Sequence, residues 1–289
     1  MRIGVVGIGK MGQPIASRLL AAGNDVSICN RSRNAALASL AERGATVSSS
    51  PAELAAGVDV ILTALPTEDT VRDVYAEMAA VAVAGQLYVD HSTVSINLNR
   101  WCAEQVGTRH ASFLDAPVSG GPAGAEAGTL TVMVGGDEVT FNRALPVFQQ
   151  FGSKIRLCGP VGSGQAIKLV NQLLVAVHTT ASAEAAVLAV QLGADLSTVQ
   201  DVIGTSFGSS AMLLRNLPRF MARDFSPATP IGLIAKDLSI IHREAVNAGV
   251  QLMLGSVAEQ CFLDAKGRGW TGEDMSAVVK FWDRGGSEV

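Results

Sequence analysis

The sequence predicts an α/β domain followed by an all-α domain, the two joined by one long helix. Three observations carry that reading. Short β-type runs alternate with helical patterns over roughly the first 160 residues. A glycine-rich turn, Gly7-Ile8-Gly9-Lys10-Met11-Gly12, stands directly between the first β run and the first helical pattern. After Gly159-Pro160-Val161-Gly162-Ser163-Gly164 the β-type runs stop, and Ala- and Leu-rich helical patterns continue to the end. The boundary is therefore expected at 161, giving domains 1–161 and 162–289.

The β-type runs are 3–6, 26–30, 58–65, 87–90, 113–116, 130–134 and 155–158. Runs such as 58–65 are apolar on both faces around a single Asp59. That pattern, with helices between the strands, predicts a parallel sheet covered on both sides. The first helix is expected from Met11 to Ala22 and stops at Gly23. Ser50-Pro51-Ala52-Glu53 is the clearest helix start, with a serine cap, proline at the first helical position and an acid three residues on. The helix from about Gln165 to Leu192 is longer than globular helices of roughly 8–20 residues, as expected of one that bridges domains or carries an interface.

Hydrophobic residues make up 48% of the 289 and charged ones 17%, enough apolar material for a packed core. The net charge of −4 and scattered basic residues exclude a nucleic-acid footprint, so a small soluble partner is expected. Cys29, Cys102, Cys158 and Cys261 show neither Cys-x-x-Cys spacing nor a histidine at ligand spacing. They read as reduced thiols of a cytoplasmic protein with no metal. The glycines and Lys10 near the start argue against a signal peptide. Asn171, His178 and Glu184 interrupt the longest apolar stretch, so no membrane segment is expected.

Each glycine of the turn has a physical reason. Gly7 permits the tight bend, Gly9 lets backbone approach a pyrophosphate, and Gly12 lets helix and strand pack closely. Phosphates then meet the N–H groups at a helix N-terminus. A strand–turn–helix with this spacing predicts a Rossmann domain binding a dinucleotide through Gly7, Ile8, Gly9, Lys10, Met11 and Gly12. The second strand ends at Asn30, 18 residues after Gly12, where NAD enzymes usually place an acid on the ribose 2′-hydroxyl. Asn30-Arg31-Ser32-Arg33 stands here instead. Arg31 and the Ser32 hydroxyl suit a 2′-phosphate that an acid would repel. NADP(H) is expected as the preferred cofactor, with NAD(H) as the other possibility.

Five segments in order resemble the β-hydroxyacid dehydrogenases, the family of 3-hydroxyisobutyrate dehydrogenase and 2-hydroxy-3-oxopropionate reductase. They are Gly7–Pro14 of the turn; Asp90-His91-Ser92-Thr93; Asp115-Ala116-Pro117-Val118-Ser119-Gly120-Gly121; Gly162-Ser163-Gly164-Gln165-Ala166-Ile167-Lys168-Leu169-Val170-Asn171; and Lys236-Asp237-Leu238. The third and fourth are long and seldom seen elsewhere, and the resemblance spans nearly the whole chain. It implies a Rossmann domain, a long interdomain helix and an all-α domain that forms a dimer, so a homodimer or homotetramer is expected.

A hydroxyl and glycine N–H groups after a strand are what a small carboxylate needs. The resemblance assigns Ser119, Gly120 and Gly121 to the substrate carboxylate. Lys168 and Asn171 lie three apart on one helix face, where two polar side chains are costly unless they meet a polar site. The resemblance makes Lys168 the catalytic residue, expected here as general acid/base, and gives Asn171 an orienting role. It places the backbone of Leu65-Pro66 beside the cofactor, Thr93 at the nicotinamide ribose or amide, and Lys236 as a second cofactor-site lysine. Asp237 reads as a salt-bridge residue and His178 as a core or interface histidine. Ser206-Phe207-Gly208-Ser209-Ser210 is expected to line the far side of the pocket. The tail follows the family pattern but carries Phe281-Trp282 where a tyrosine is often found.

The expected reaction moves hydride between nicotinamide and a short β-hydroxyacid or semialdehyde. Imine reductases share the fold but often carry Asp or Tyr in place of Lys168. 6-Phosphogluconate dehydrogenase has a far longer α domain than this chain leaves room for. A non-catalytic cofactor-binding oligomerisation module tends to lose the lysine that is kept here.

Overall fold

The computed structural model describes residues 1–32 and 34–282, and the chain divides into two compact units, Met1–Lys168 and Leu169–Val289. The first unit is α/β. Its strands are β1 (Arg2–Val6), β2 (Asp25–Cys29), β3 (Thr46–Val47), β4 (Val60–Thr63), β5 (Leu87–Asp90), β6 (Ser112–Asp115), β7 (Val118–Ser119), β8 (Leu130–Gly135) and β9 (Gly152–Gly159). Between them run α1 (Gly12–Ala21), α2 (Ala35–Glu42), α3 (Pro51–Gly57), α4 (Glu68–Val81), α5 (Ile96–Gly107), α6 (Gly121–Ala127) and α7 (Glu138–Phe148).

Among the described residues the strands form one sheet in the order β3-β2-β1-β4-β5-β6-β8-β7, with β9 on β8. β3 through β6 are parallel, whereas β8 runs antiparallel to β6 and β7. The expected parallel sheet is therefore its larger part, from the β3 edge to β6. The antiparallel turn-back rests on β7, two residues long, which shows no alternation or apolar run in the sequence. β4 and β5 are buried at every residue, and their side chains alternate between two cores. Ile3, Val5, Leu62 and Val89 enter one core, while Val6, Ile61 and Tyr88 enter the other. Helices cover both faces because both faces are apolar. The start of α3 follows its sequence signal: Ser50 Oγ accepts the Glu53 N–H at 3.1 Å, with Pro51 in the first turn.

The second unit is helical. α8 (Ser163–Gln191) begins in the last residues of the first unit and is followed by α9 (Leu196–Gly204), α10 (Ala211–Ala222), α11 (Ile231–Asn247) and α12 (Met253–Gly267). The tail, where the sequence predicts that helical patterns continue, is two 3₁₀ segments, Trp270–Gly272 and Met275–Trp282. Asp274 sits between them and holds the segment down. Its buried carboxylate pairs with Arg215 at 2.7 Å and accepts the Thr229 N–H at 2.9 Å and the Ser276 hydroxyl at 2.8 Å.

By length and composition alone α8 is apolar enough to cross a membrane. Its polar side chains argue for protein surroundings instead: Gln165, Lys168 and Gln172 are buried and hydrogen-bonded within the protein.

Candidate active site

Cys29, Val6, Thr63, Asp90 and Asp115 form one register row across β2, β1, β4, β5 and β6, at the C-terminal ends of the strands. The chain leaves this row at Asn30, Gly7, Ala64, His91 and Ala116, so the predicted segments of the first unit emerge along one sheet edge. The strand order reverses between β1 and β4, and open α/β sheets take ligands at such a switch point.

The glycine turn opens that edge. Gly7 has φ +96°, and a Cβ there would lie 2.4 Å from the Ala64 carbonyl oxygen. A Cβ on Gly12 would lie 1.9 Å from the Gly7 oxygen. Both glycines are demanded by the protein's own backbone. Gly9 differs: a Cβ there would meet nothing within 4 Å, so the space it leaves is not filled by this chain. That open cradle, at the start of a ten-residue helix, fits the pyrophosphate of a dinucleotide.

Two asparagines pin the turn from the side of β2. Asn30 Oδ1 accepts the Ile8 N–H at 3.1 Å, and Asn34 Nδ2 donates to the Ile8 carbonyl at 3.2 Å. Asn30 Nδ2 also donates to the Ser32 carbonyl at 2.8 Å, so its amide shapes the loop that presents Arg31 and Ser32. Arg31 and Ser32 are exposed; Arg33 lies outside the described residues. The clamp by Asn34, which also caps α2 by accepting the Leu37 N–H at 2.8 Å, was not read from the sequence.

Behind the edge lies a buried polar network that sequence reasoning also missed. Asp90 Oδ1 accepts the hydroxyls of Thr63 at 2.8 Å and Ser92 at 2.6 Å, and Asp90 Oδ2 accepts Asn99 Nδ2 at 3.1 Å. Ser92 Oγ accepts the Leu65 N–H at 2.9 Å, which fixes the Leu65-Pro66 loop beside the Ser92-Thr93 loop. Gln165 Nε2 donates to the Ser92 carbonyl at 3.0 Å and to Asn99 Oδ1 at 3.1 Å. Asp115 caps α8: its two oxygens accept the N–H groups of Gly162 at 2.6 Å and Gln165 at 2.8 Å. Burial pushes the Asp115 carboxyl up, against the downward pull of these N–H donors. Cβ atoms on Gly135 or Gly164 would strike this carboxylate at 2.2 and 2.9 Å, which explains both glycines.

The network sets α8, and α8 sets Lys168. That lysine is buried, and its Nζ donates to the Val118 carbonyl at 2.8 Å, one residue before Ser119. Gly120 and Gly121 have φ +127° and +64°, conformations that favour glycine. A Cβ on Gly121 would meet nothing within 4 Å, so the space beside this backbone, two residues after Ser119, is not filled by the chain. Ser119, Gly120, Gly121 and Lys168 are thus brought together within the first unit.

Asn171 and Lys236 belong to the second unit, joined there by a chain of contacts. Asn171 Nδ2 donates to Gln172 Oε1 at 3.1 Å, Gln172 Nε2 donates to Asp237 Oδ2 at 2.6 Å, and Lys236 pairs with Asp237 Oδ1 at 2.9 Å. Asp237 is the salt-bridge residue of the sequence reading. His178 is half-buried on α8, and Ser210 caps α10 by accepting the Leu213 N–H at 3.0 Å. Phe207 is fully exposed.

His91 donates from Nδ1 to the Ala116 carbonyl at 2.6 Å, and burial lowers its pKa, so it is a neutral structural ring. Burial pushes the thiols of Cys29 and Cys261 up to about 11, which makes them poor nucleophiles. Among the described residues no group of three or more His, Cys, Asp or Glu is placed to hold a metal.

Known proteins resemble this chain over nearly its whole length. The family model for the NAD binding domain of 6-phosphogluconate dehydrogenase matches residues 2–159. That for the NAD-binding domain of NADP-dependent 3-hydroxyisobutyrate dehydrogenase matches residues 162–282. The chain is 35% identical to 2-(hydroxymethyl)glutarate dehydrogenase of Eubacterium barkeri, covering 98% of this chain and 95% of that protein. It is 35% identical to L-threonate dehydrogenase of Cupriavidus necator, covering 97% and 95%. The structure of Mycobacterium tuberculosis 3-hydroxyisobutyrate dehydrogenase with L-serine superposes with a TM-score of 0.90 at 35% identity, covering 98% of this chain and 99% of that one.

Proposed function

The chain belongs to the β-hydroxyacid dehydrogenase family, and on that premise we propose that it moves hydride between NADP(H) and a short β-hydroxyacid or its semialdehyde, with Lys168 as general acid/base. The observation that carries the proposal is the 2.8 Å bond from Lys168 Nζ to the Val118 carbonyl. It holds a proton-carrying nitrogen beside Ser119, Gly120 and Gly121, the segment suited to a carboxylate. A substrate whose carboxylate is taken by that segment brings its hydroxyl or carbonyl, two carbons away, towards the lysine.

When bound, the nicotinamide cofactor supplies or accepts the hydride. The chain's own residues do the rest. Gly7 to Gly12 hold the pyrophosphate, with Gly9 leaving it room. Arg31 and Ser32 hold the 2′-phosphate, on a loop shaped by Asn30. Leu65, Pro66 and Thr93 line the cofactor along the sheet edge. Ser119, Gly120 and Gly121 bind the carboxylate. Lys168 gives a proton to the developing alkoxide during reduction, or takes one from the hydroxyl during oxidation. Asn171, one helical turn beyond Lys168, orients the substrate, and Lys236 serves the cofactor.

The division into 1–161 for cofactor and 162–289 for substrate and assembly is part of the same reading. Val170, Leu174, Met253, Leu254 and Val257 expose apolar surface, which supports a homodimer or homotetramer; a cytoplasmic location is part of the same proposal. Relatives of equal identity are named for hydroxymethylglutarate and L-threonate, so identity at this level does not select one acid. A panel of short β-hydroxyacids and semialdehydes, run with NADPH/NADP⁺ and NADH/NAD⁺ in parallel, tests the proposal. The expected result is turnover of at least one pair, faster with the phosphorylated cofactor. No turnover with any member, while cyclic imines are reduced, would overturn it.

A further inference from the structure

We propose that Gln165 is a positioning residue: its amide fixes the loop carrying Thr93 against the helix that carries Lys168. The inference deepens the function proposed above and rests on it.

The orientation of the amide follows from charge. Asp90 Oδ2 can only accept, so the Asn99 group facing it at 3.1 Å must be Nδ2. That turns Asn99 Oδ1 towards Gln165, and an oxygen there requires a donor. The Ser92 carbonyl, 3.0 Å from the same Gln165 nitrogen, makes the same demand. Both amides are therefore locked in one flip state by a carboxylate two residues before Ser92. Asp90, Asn99 and Gln165 have no exposed surface, so water cannot replace any of these bonds.

What the amide joins matters more than its burial. On one side are Ser92, whose hydroxyl also takes the Leu65 N–H, and the next residue, Thr93. On the other side is the first turn of α8, where the Gln165 N–H is held by Asp115 and Lys168 follows three residues later. The Gln165 side chain thus ties the loop that leads to Thr93 to the turn of α8 that Asp115 holds from the other side. Both of its contacts run through Nε2, so the side chain acts here as the donor of two bonds. A displacement of about 1 Å between reacting groups costs on the order of 100-fold in rate.

The test uses Gln165→Glu, which keeps the size and replaces the donor by an acceptor, and Gln165→Leu, which removes both bonds. For each full-length variant three quantities are measured: steady-state kcat and KM, the dissociation constant of NADPH, and amide hydrogen exchange over 91–99 and 162–169 in the cofactor-free protein. We expect kcat to fall about 10- to 100-fold while KM and the NADPH constant move less than threefold. Exchange should quicken at 92–95 and remain slow in α1. If Gln165→Leu does not fold, Gln165→Glu decides alone, with Asn99→Asp as its partner lesion. Wild-type exchange at 92–95 in both variants, or kcat within twofold of wild type, overturns the proposal. Should the wild-type enzyme turn over no hydroxyacid, the proposed activity fails, and the exchange measurement still decides whether Gln165 holds the loop.

Discussion

Lys168 Nζ and the Val118 carbonyl lie 2.8 Å apart, a bond that keeps a buried lysine one residue from Ser119. A carbonyl oxygen only accepts, so the bond fixes the lysine nitrogen in place as its donor. Lys168→Ala should lower kcat by about 10²- to 10⁴-fold, the usual contribution of a positioned acid or base. NADPH affinity should stay within about threefold, measured by fluorescence titration. Lys168→Arg should not restore turnover, because a guanidinium does not release its proton. Near-normal kcat in Lys168→Ala removes the assigned role.

The glycine turn makes two opposite predictions from neighbouring positions. A Cβ at Gly9 meets nothing in the protein, so Gly9→Ala should unfold within a few degrees of wild type and lose cofactor binding. A Cβ at Gly12 would sit 1.9 Å from the Gly7 oxygen, so Gly12→Ala should lower the melting temperature whether or not cofactor is present. Thermal melts with and without NADPH separate the two. A Gly9→Ala protein that still gains stability from NADPH as wild type does would show that the open space is not the cradle.

These cases mark what the sequence discloses. Gly7, Gly9, Gly12, Ser119–Gly121 and Lys168 stand out in the sequence because each motif is contiguous and the chemistry proposed for it is local. Asp90, Asn99 and Gln165 were not, since their meaning lies in pairs such as Gln165 and Asn99, 66 positions apart. Burial converts ordinary polar residues into obligate partners, and burial is a property of the fold. The same limit hid β3 and β7: two residues cannot show a period. Asn30 was read for the absence of an acid, whereas its amide also clamps Ile8 and Ser32.

Arg31 is exposed at the end of β2, where no described neighbour from Asn30 to Asn34 is acidic. In the proposed reading this surface cation acts through charge-assisted bonds to the 2′-phosphate. Arg31→Ala should raise KM for NADPH about tenfold and leave KM for NADH nearly unchanged. The preference ratio should fall further as salt is added to the wild-type enzyme, because exposed charges are screened. A preference for NADPH that survives Arg31→Ala intact assigns the discrimination to other residues.

Two buried carboxylates should respond to pH with opposite sign. Burial acts against the Asp274 carboxylate, but the Arg215 guanidinium and the N–H groups of Thr229 and Ser276 outweigh it and hold its pKa below the ordinary value. In the window below that ordinary value the unfolded chain binds more protons than the native one, so stability rises with pH. The contribution is full above the usual carboxylate range and is lost as pH falls through the native value. Asp115 is the reverse: burial raises it, the native state keeps its proton longer, and stability falls as pH rises through the window above the ordinary value. Asp274→Asn should cost about 3–5 kcal/mol near neutrality, since it strands the largely buried Arg215 and loosens the 3₁₀ tail. Urea melts from about pH 3 to pH 7 should show the gap between wild type and Asp274→Asn widening as pH rises, and that for Asp115→Asn narrowing. A gap for Asp274→Asn that is constant across that range would mean the ion pair does not set the acid limit of the second unit.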